Sequence, residues 1–377
     1  MPSAGINMSV GSAPSAATYP SSAGTVTALP RDLPVLPTRD GVSELARAYL
    51  DDARRAAPGL GAHPDPDALH DFRVALRRLR GLLRAYRAPL GPRISKRLRR
   101  RITAVADATG AGRDADVMLA WIAAETKGLT RSERVGARWL AERIRTRRDA
   151  DPETRRLPAR FERLDRRLRK RLSANSRDSE VPAGPSFAGT TARLVTDAAV
   201  SLTEALRAIR TPEDTKAAHH ARLAGKRLRY LLEPVADAAA GAPALIERLR
   251  SLQELLGEFN ECHVFLDEIG AAVESLGAAR ARTAHDLQVE GKPRPRLKRG
   301  REDAGLLALA RRARARRDDL FFLLQPQWLG DRAAEVIPLV REGVATLSAR
   351  RAAQPYRIIR RAPRFRSPRP PAATPGL

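Results

Sequence analysis

A chain of 377 residues with 43% hydrophobic content can bury a sizeable core, and 69 Lys+Arg against 43 Asp+Glu leave it at a formal +26. That surplus favours a polyanionic partner. Aromatic residues are only 4%, too few for a protein that stacks unpaired bases; the single cysteine, Cys262, excludes an intrachain disulfide or a multi-cysteine metal site and fits a reducing compartment, with the cytoplasm expected.

Residues 1–40 are rich in Ser, Ala, Gly and Pro, without a basic start or an uninterrupted apolar run, and are expected to form a disordered tail and not a signal peptide. From Gly41 to about Arg351 apolar residues recur at three- and four-residue spacing, while alternating Val, Ile and Thr runs are scarce, so the fold is expected to be all-α. No stretch is apolar for long enough to span a membrane. In the first half, 41–172, the PDPD run at Pro64 to Asp67 offers helix caps, Gly91-Pro92 and Gly128 are expected stops, and Thr130 to Glu133 reads as a capping box. Residues 173–189 are expected to be a linker. In the second half, 190–351, Thr211-Pro212 is expected to open a helix, Gly241 and Gly257 to stop helices, and a basic insert is placed at about 288–301; residues 352–377 read as a basic Pro/Arg-rich tail.

The chain repeats itself. HDFRVALRRLR, from His70 to Arg80, returns 149 residues later as HHARLAGKRLR, from His219 to Arg229, and GAGRDADVML from Gly110 returns as GEFNECHVFL from Gly257. In this register Arg113 stands opposite Asn260, Asp114 opposite Glu261 and Asp116 opposite His263. The expected architecture is therefore two duplicated helical bundles, each like a four-helix bundle, related by a pseudo-two-fold axis that sets the paired motifs face to face.

On a helix, His70, Arg73, Arg77, Arg80 and Arg84 fall on one face roughly 80° wide, apart from an apolar stripe of Phe72, Leu76, Leu79, Leu83 and Tyr86. His219, Arg222, Lys226 and Arg229 repeat that face, with Ala221, Leu228 and Leu232 on the packing side and Glu233 where the first copy has Arg84. Like charges one turn apart oppose helix formation, so an anion is expected between the stripes, held by guanidinium forks. The competing account is a solvated face, or internal ion pairs with Asp71, Asp114 or Asp116; for His70 and His219 it is a hydrogen bond at the start of a helix.

These residues resemble the CHAD domains, conserved histidine α-helical domains whose two copies carry H-x-x-R-[VIL]-x-x-[RK]-R-L-R. Tyr230 and Glu233 resemble the family's KRLRY-x-x-E run, and Arg113-Asp114 its downstream R-D element; the likeness spans about Gly41 to Arg351. It implies two bundles in pseudo-symmetric contact around a basic groove, inorganic polyphosphate as the partner, and association with polyphosphate granules. The ligands it implies are His70, Arg73, Arg77, Arg78 and Arg80 in the first copy and His219, Arg222, Lys226, Arg227, Arg229 and Tyr230 in the second. Arg84 and Arg113 join them through the stripe and the R-D element. Gly81 opposite Tyr230 and Asn260 opposite Arg113 depart from the pattern.

No enzyme is expected. Family relatives with an adjoining CYTH triphosphatase domain carry a Glu-x-Glu-x-Lys strand; no Glu-x-Glu occurs here, nor a Walker loop, HExxH or GxSxG. The close acidic pairs, Asp65/Asp67, Asp114/Asp116 and Asp149/Asp151, read as caps or ion-pair partners, so no catalytic residue, metal or cofactor is assigned. A separate polyphosphate-metabolising enzyme is a candidate partner. The rival function is binding to RNA or DNA phosphates, along the Arg-rich segment Arg131 to Arg171.

Overall fold

Apolar side chains recurring once per turn bury one face of a helix each, and a fold assembled from such faces needs no sheet. The computed structural model describes residues 30–60, 65–91, 94–149, 156–173, 184–292 and 300–353. Among them are twelve α-helices: α1 (Thr38–Ala56), α2 (Pro66–Ala85), α3 (Arg87–Leu90), α4 (Lys96–Asp107), α5 (Gly110–Thr126), α6 (Glu133–Asp149), α7 (Leu157–Ser173), α8 (Phe187–Arg207), α9 (Thr215–Leu232), α10 (Ala242–Val289), α11 (Asp303–Trp328) and α12 (Val336–Ala353). No strand occurs among the described residues, only an isolated bridge between Pro37 and Ser186. None of these helices is long and apolar enough to cross a membrane. Most of both expected tails lies outside the described residues, as do 174–183 of the expected linker and 293–299 of the expected basic insert.

Several helix ends follow from the residues placed there. Asp65 caps α2 by accepting from the Asp67 N–H at 3.2 Å. Ahead of α6, Thr130 Oγ1 accepts from the Glu133 N–H at 3.3 Å, while Glu133 Oε2 accepts from the Thr130 N–H at 2.9 Å; this is the expected capping box. Two expectations need correction. Thr211-Pro212 does not open α9: the N–H groups of Arg210 and Thr211 both donate to Asp214 Oδ2 at 2.8 Å, and this turn delays the helix to Thr215. Gly257 stops nothing, because it lies inside the 48-residue α10, where the buried Leu256 and Phe259 beside it outweigh a glycine cost of about 1 kcal/mol.

Buried side chains form two clusters. The larger draws on α1, α2, α4, α7, α8, α9, the first half of α10, the end of α11 and α12, and so takes residues from both sides of 173–189. The smaller joins α5 and α6 to the later part of α10 and the first part of α11. Across the larger cluster, α1 and α8 are tied where they begin: the Phe187 N–H donates to Leu36 O at 2.8 Å, and the Thr38 and Thr190 hydroxyls lie 2.7 Å apart. Tyr86, beyond the end of α2, stacks on Phe187 at 5.3 Å and shares a hydrogen bond with Thr191 at 2.6 Å. The motif helices α2 and α9 are thereby anchored on their apolar sides by neighbours, α1 and α8, that are themselves joined.

In the smaller cluster α6 and α11 cross at Gly136 and Gly305. A Cβ at Gly136 would lie 2.1 Å from Glu302 O, and one at Gly305 2.0 Å from Glu133 O. Backbone against backbone cannot yield by a rotamer change, so Gly305→Ala is expected to destabilise by about 1–3 kcal/mol. Urea denaturation checks this; an unchanged midpoint would show that the crossing is not so close.

Candidate functional site

The two motif helices meet side by side, and their contact is made by residues in their C-terminal halves. A Cβ at Gly81 of α2 would lie 3.6 Å from Tyr230 Cδ2 of α9, so the two positions that stand opposite each other in the repeat also touch in space. Three residues further on, just past the end of α9, Glu233 lies between two arginines: its Oε1 accepts from Arg229 at 3.0 Å, and its Oε2 is 3.3 Å from Arg78 Nη2 of α2. All three side chains are largely buried, and Tyr49 of α1 beneath them has its hydroxyl pKa pushed up by burial. This acid clamps two helices that would otherwise present cation to cation.

On the other side of the clamp the cations converge. Arg73 of α2 has its pKa lowered to about 10, first by burial and then by Arg113 of α5. Burial lowers Arg222 of α9 as well, with Arg77 of α2 acting in the same direction and Glu261 of α10 against it. Lys226 of α9 is driven down to about 7, by burial and then by Arg222, Arg77, Arg229 and Arg113. His70 is lowered by burial, then by Arg113, Arg77 and Arg73. Helices α2, α5 and α9 thus bring His70, Arg73, Arg77, Arg113, Arg222 and Lys226 within electrostatic reach of one another. The Nε–H groups of Arg77 and Arg222 are buried without a hydrogen-bond acceptor among the described residues.

The remaining expected residues are placed differently. Arg78 and Arg229 are held by Glu233, and Arg80 is paired with Asp107 of α4 at 2.9 Å. Arg84 and Arg227 are exposed. His219 lies at the cluster's edge, its Nδ1 3.3 Å from Asn260 Oδ1 of α10; the residue that departs from the pattern opposite Arg113 is therefore the partner of the second histidine. Tyr230 stacks under the Arg229 guanidinium at 4.9 Å, with its hydroxyl buried and unpartnered among the described residues. The internal ion pairs are real: Glu233 and Asp107 bind the motif arginines Arg78, Arg229 and Arg80, Asp114 and Asp116 act electrostatically on Arg73, and Asp116 pairs with Arg148 at 2.8 Å.

Sequence reasoning offered Asp71, Asp114 and Asp116 as partners of the motif cations but missed Glu261. Glu261 has its pKa raised by burial although Arg113 and Arg222 oppose that shift, and Asp114 acts on both Arg73 and Glu261. The place of Glu261 opposite Asp114 in the repeat was the available signal. With Asp71 acting on His70 and Asp116 on Arg73, four acids temper the cluster.

Glu233→Ala removes the acid shared by Arg78 and Arg229 and leaves two guanidiniums facing each other, so a loss of about 2–3 kcal/mol is expected in urea denaturation. Lys226 gives a pH signature. The unfolded chain keeps its pKa at 10.5, so between about 7 and 10.5 the unfolded state binds more protons and stability rises with pH. Below 7 the lysine is charged in both states and the native cluster bears the full repulsion from its arginines. Lys226→Met should therefore melt above the wild type at about pH 6, with a gap that narrows toward about pH 9; a gap independent of pH would remove Lys226 from the cluster.

A sequence model of the CHAD domain matches residues 44–270. Among solved structures, the CHAD domain from the plant Ricinus communis aligns with a TM-score of 0.55 and 22% identity, over 80% of this chain and 94% of its own. PptA from Streptomyces chartreusis aligns with a TM-score of 0.54 and 19% identity, over 78% of this chain and 99% of its own. At such identities these likenesses concern the fold. No curated protein sequence matches the chain.

Proposed function

Because the chain belongs to the CHAD domain family, we propose that its cation cluster binds inorganic polyphosphate and carries out no reaction on it. The observation that carries this reading is the meeting of His70, Arg73, Arg77, Arg113, Arg222 and Lys226 from three helices, with Asp71, Asp114, Asp116 and Glu261 as the acids within their reach. Half-buried guanidiniums repel one another more strongly than solvated ones, and a phosphate chain relieves that repulsion through charge-assisted, often bidentate hydrogen bonds. Phosphate oxygens recur along a polyphosphate chain without bases or sugars, which suits a cluster rich in guanidinium and poor in aromatic side chains.

The same reading makes the protein a binder: the cluster carboxylates sit among guanidiniums, where they balance charge. It also places the protein at polyphosphate granules in the cytoplasm, where a separate polyphosphate-metabolising enzyme is the natural partner.

Arg73 and Arg222 contribute repulsion to the apo protein and attraction to the complex. Replacing both with Leu is expected to leave helicity and the apo melting temperature unchanged or slightly raised, while polyphosphate affinity falls by about a hundredfold or more, about 2.7 kcal/mol. Titration calorimetry at fixed salt, with RNA as competitor at matched phosphate, checks both parts. Unaltered affinity would exclude the cluster as the site, and RNA outcompeting polyphosphate would favour a nucleic-acid protein.

A further inference from the structure

A second cationic surface lies outside the cluster, on α7 and the adjoining α4. The α7 sequence, LPARFERLDRRLRKRLS, buries Leu157, Phe161, Leu164, Leu168 and Leu172. Its opposite face exposes Arg163, Arg166, Arg167, Lys170 and Arg171. None of these five pairs with a carboxylate among the described residues, whereas exposed arginines elsewhere, such as Arg145, Arg316 and Arg332, do. Of the two acids on α7, Asp165 is buried under Arg54 and Arg169, so Glu162 alone faces solvent. On α4, Arg97 and Arg100 add two more exposed cations.

This surface is joined to the cluster through α2. Phe161 of α7 meets Phe72 of α2 edge to face at 4.9 Å, and Asp107 at the end of α4 pairs with Arg80. One turn beyond Arg80 is the exposed Arg84, and Arg100 and Arg97 lie two and three turns before Asp107 along α4. Helix α4 thus joins the cluster's helix at Arg80 and packs against α7, carrying Arg97 and Arg100 on its exposed side.

We propose that the α4–α7 face is a second contact for the same long polyphosphate chain, engaged by the length that emerges from the cluster; the inference rests on the polyphosphate reading above. The face is formed by two helices and bears no exposed aromatic ring on α7, so it suits phosphates and has nothing on which to stack unpaired bases. Once the chain's first segment is bound, the rest is held near α7 at high effective concentration, and affinity grows with chain length without any new contact in the cluster.

The test compares tripolyphosphate, long-chain polyphosphate and duplex DNA binding to the full-length wild type and to a variant carrying Arg163→Gln, Arg166→Gln, Arg167→Gln, Lys170→Gln and Arg171→Gln. These positions are exposed and Gln suits a helix, so circular dichroism should show an unchanged fold; Arg97→Gln with Arg100→Gln is the second variant. At matched phosphate, wild type is expected to bind the long chain about tenfold or more tighter than tripolyphosphate. Both variants should lose most of that advantage and keep tripolyphosphate affinity. An advantage that survives in the variants, or none in wild type that still binds tripolyphosphate, overturns the inference and spares the cluster. Wild type that binds neither phosphate probe sinks the polyphosphate reading and this one with it. Loss of duplex binding alone in the variants assigns the face to nucleic acid instead.

Discussion

Two arginine-rich helices can lie together only if something offsets the repulsion between them, and in this protein one carboxylate does so. Glu233, just past the end of α9, accepts from Arg229 of that helix and pairs with Arg78 on the other, in a largely buried setting where the contact is weakly screened. Tyr230 packed over Gly81 closes the same contact with surface too small to keep the helices apart. With one end of the pair fixed in this way, the remaining cations are left facing one another without sufficient internal acid. Under the polyphosphate reading proposed above, the anion would be favoured by relieving this repulsion.

The apolar packing makes that arrangement rigid. Phe72, Leu76, Leu79 and Leu83 of α2, and Ala221, Leu228 and Leu232 of α9, are buried on the side away from the cations, against α1 and α8, which are bound to each other at Thr38, Thr190 and Phe187. Arg113 arrives from α5, whose partners lie in the smaller cluster, and Asn260 and Glu261 arrive from α10. Each side of the cation cluster is therefore supported by a different part of the hydrophobic framework.

The periodicity of apolar residues was enough to read the all-α fold, and the repeated motif was enough to single out α2 and α9 with their cations on one face. Helix ends were legible where a side chain acts on its own backbone, as at Asp65 and Thr130. They were not legible where tertiary burial decides: Gly257 carries a local stop signal, yet α10 continues because Leu256 and Phe259 are buried on either side of it. The division of labour among the motif cations was equally hidden. Arg77 and Arg78 are neighbours in the chain, but a rotation of 100° sends one to the cluster and the other to Glu233, and only the position of the second helix reveals which. Asn260 looked like a defect in the repeat because its partner, His219, is distant in sequence.

Helix α10 is about 72 Å long at 1.5 Å per residue. From Leu245 to Cys262 it belongs to the larger buried cluster and from Phe265 to Ala272 to the smaller, and α11 makes the same passage in reverse, from Leu306 to Trp328. At the crossover the buried Arg317 binds Glu213 at 2.6 Å, and His263 lies 3.3 Å from Thr215 at the start of α9. Two continuous rods shared by both cores act as splints across this polar layer. Neither core can melt by itself without breaking a helix in mid-span, so heat or denaturant should take the molecule apart in one concerted step.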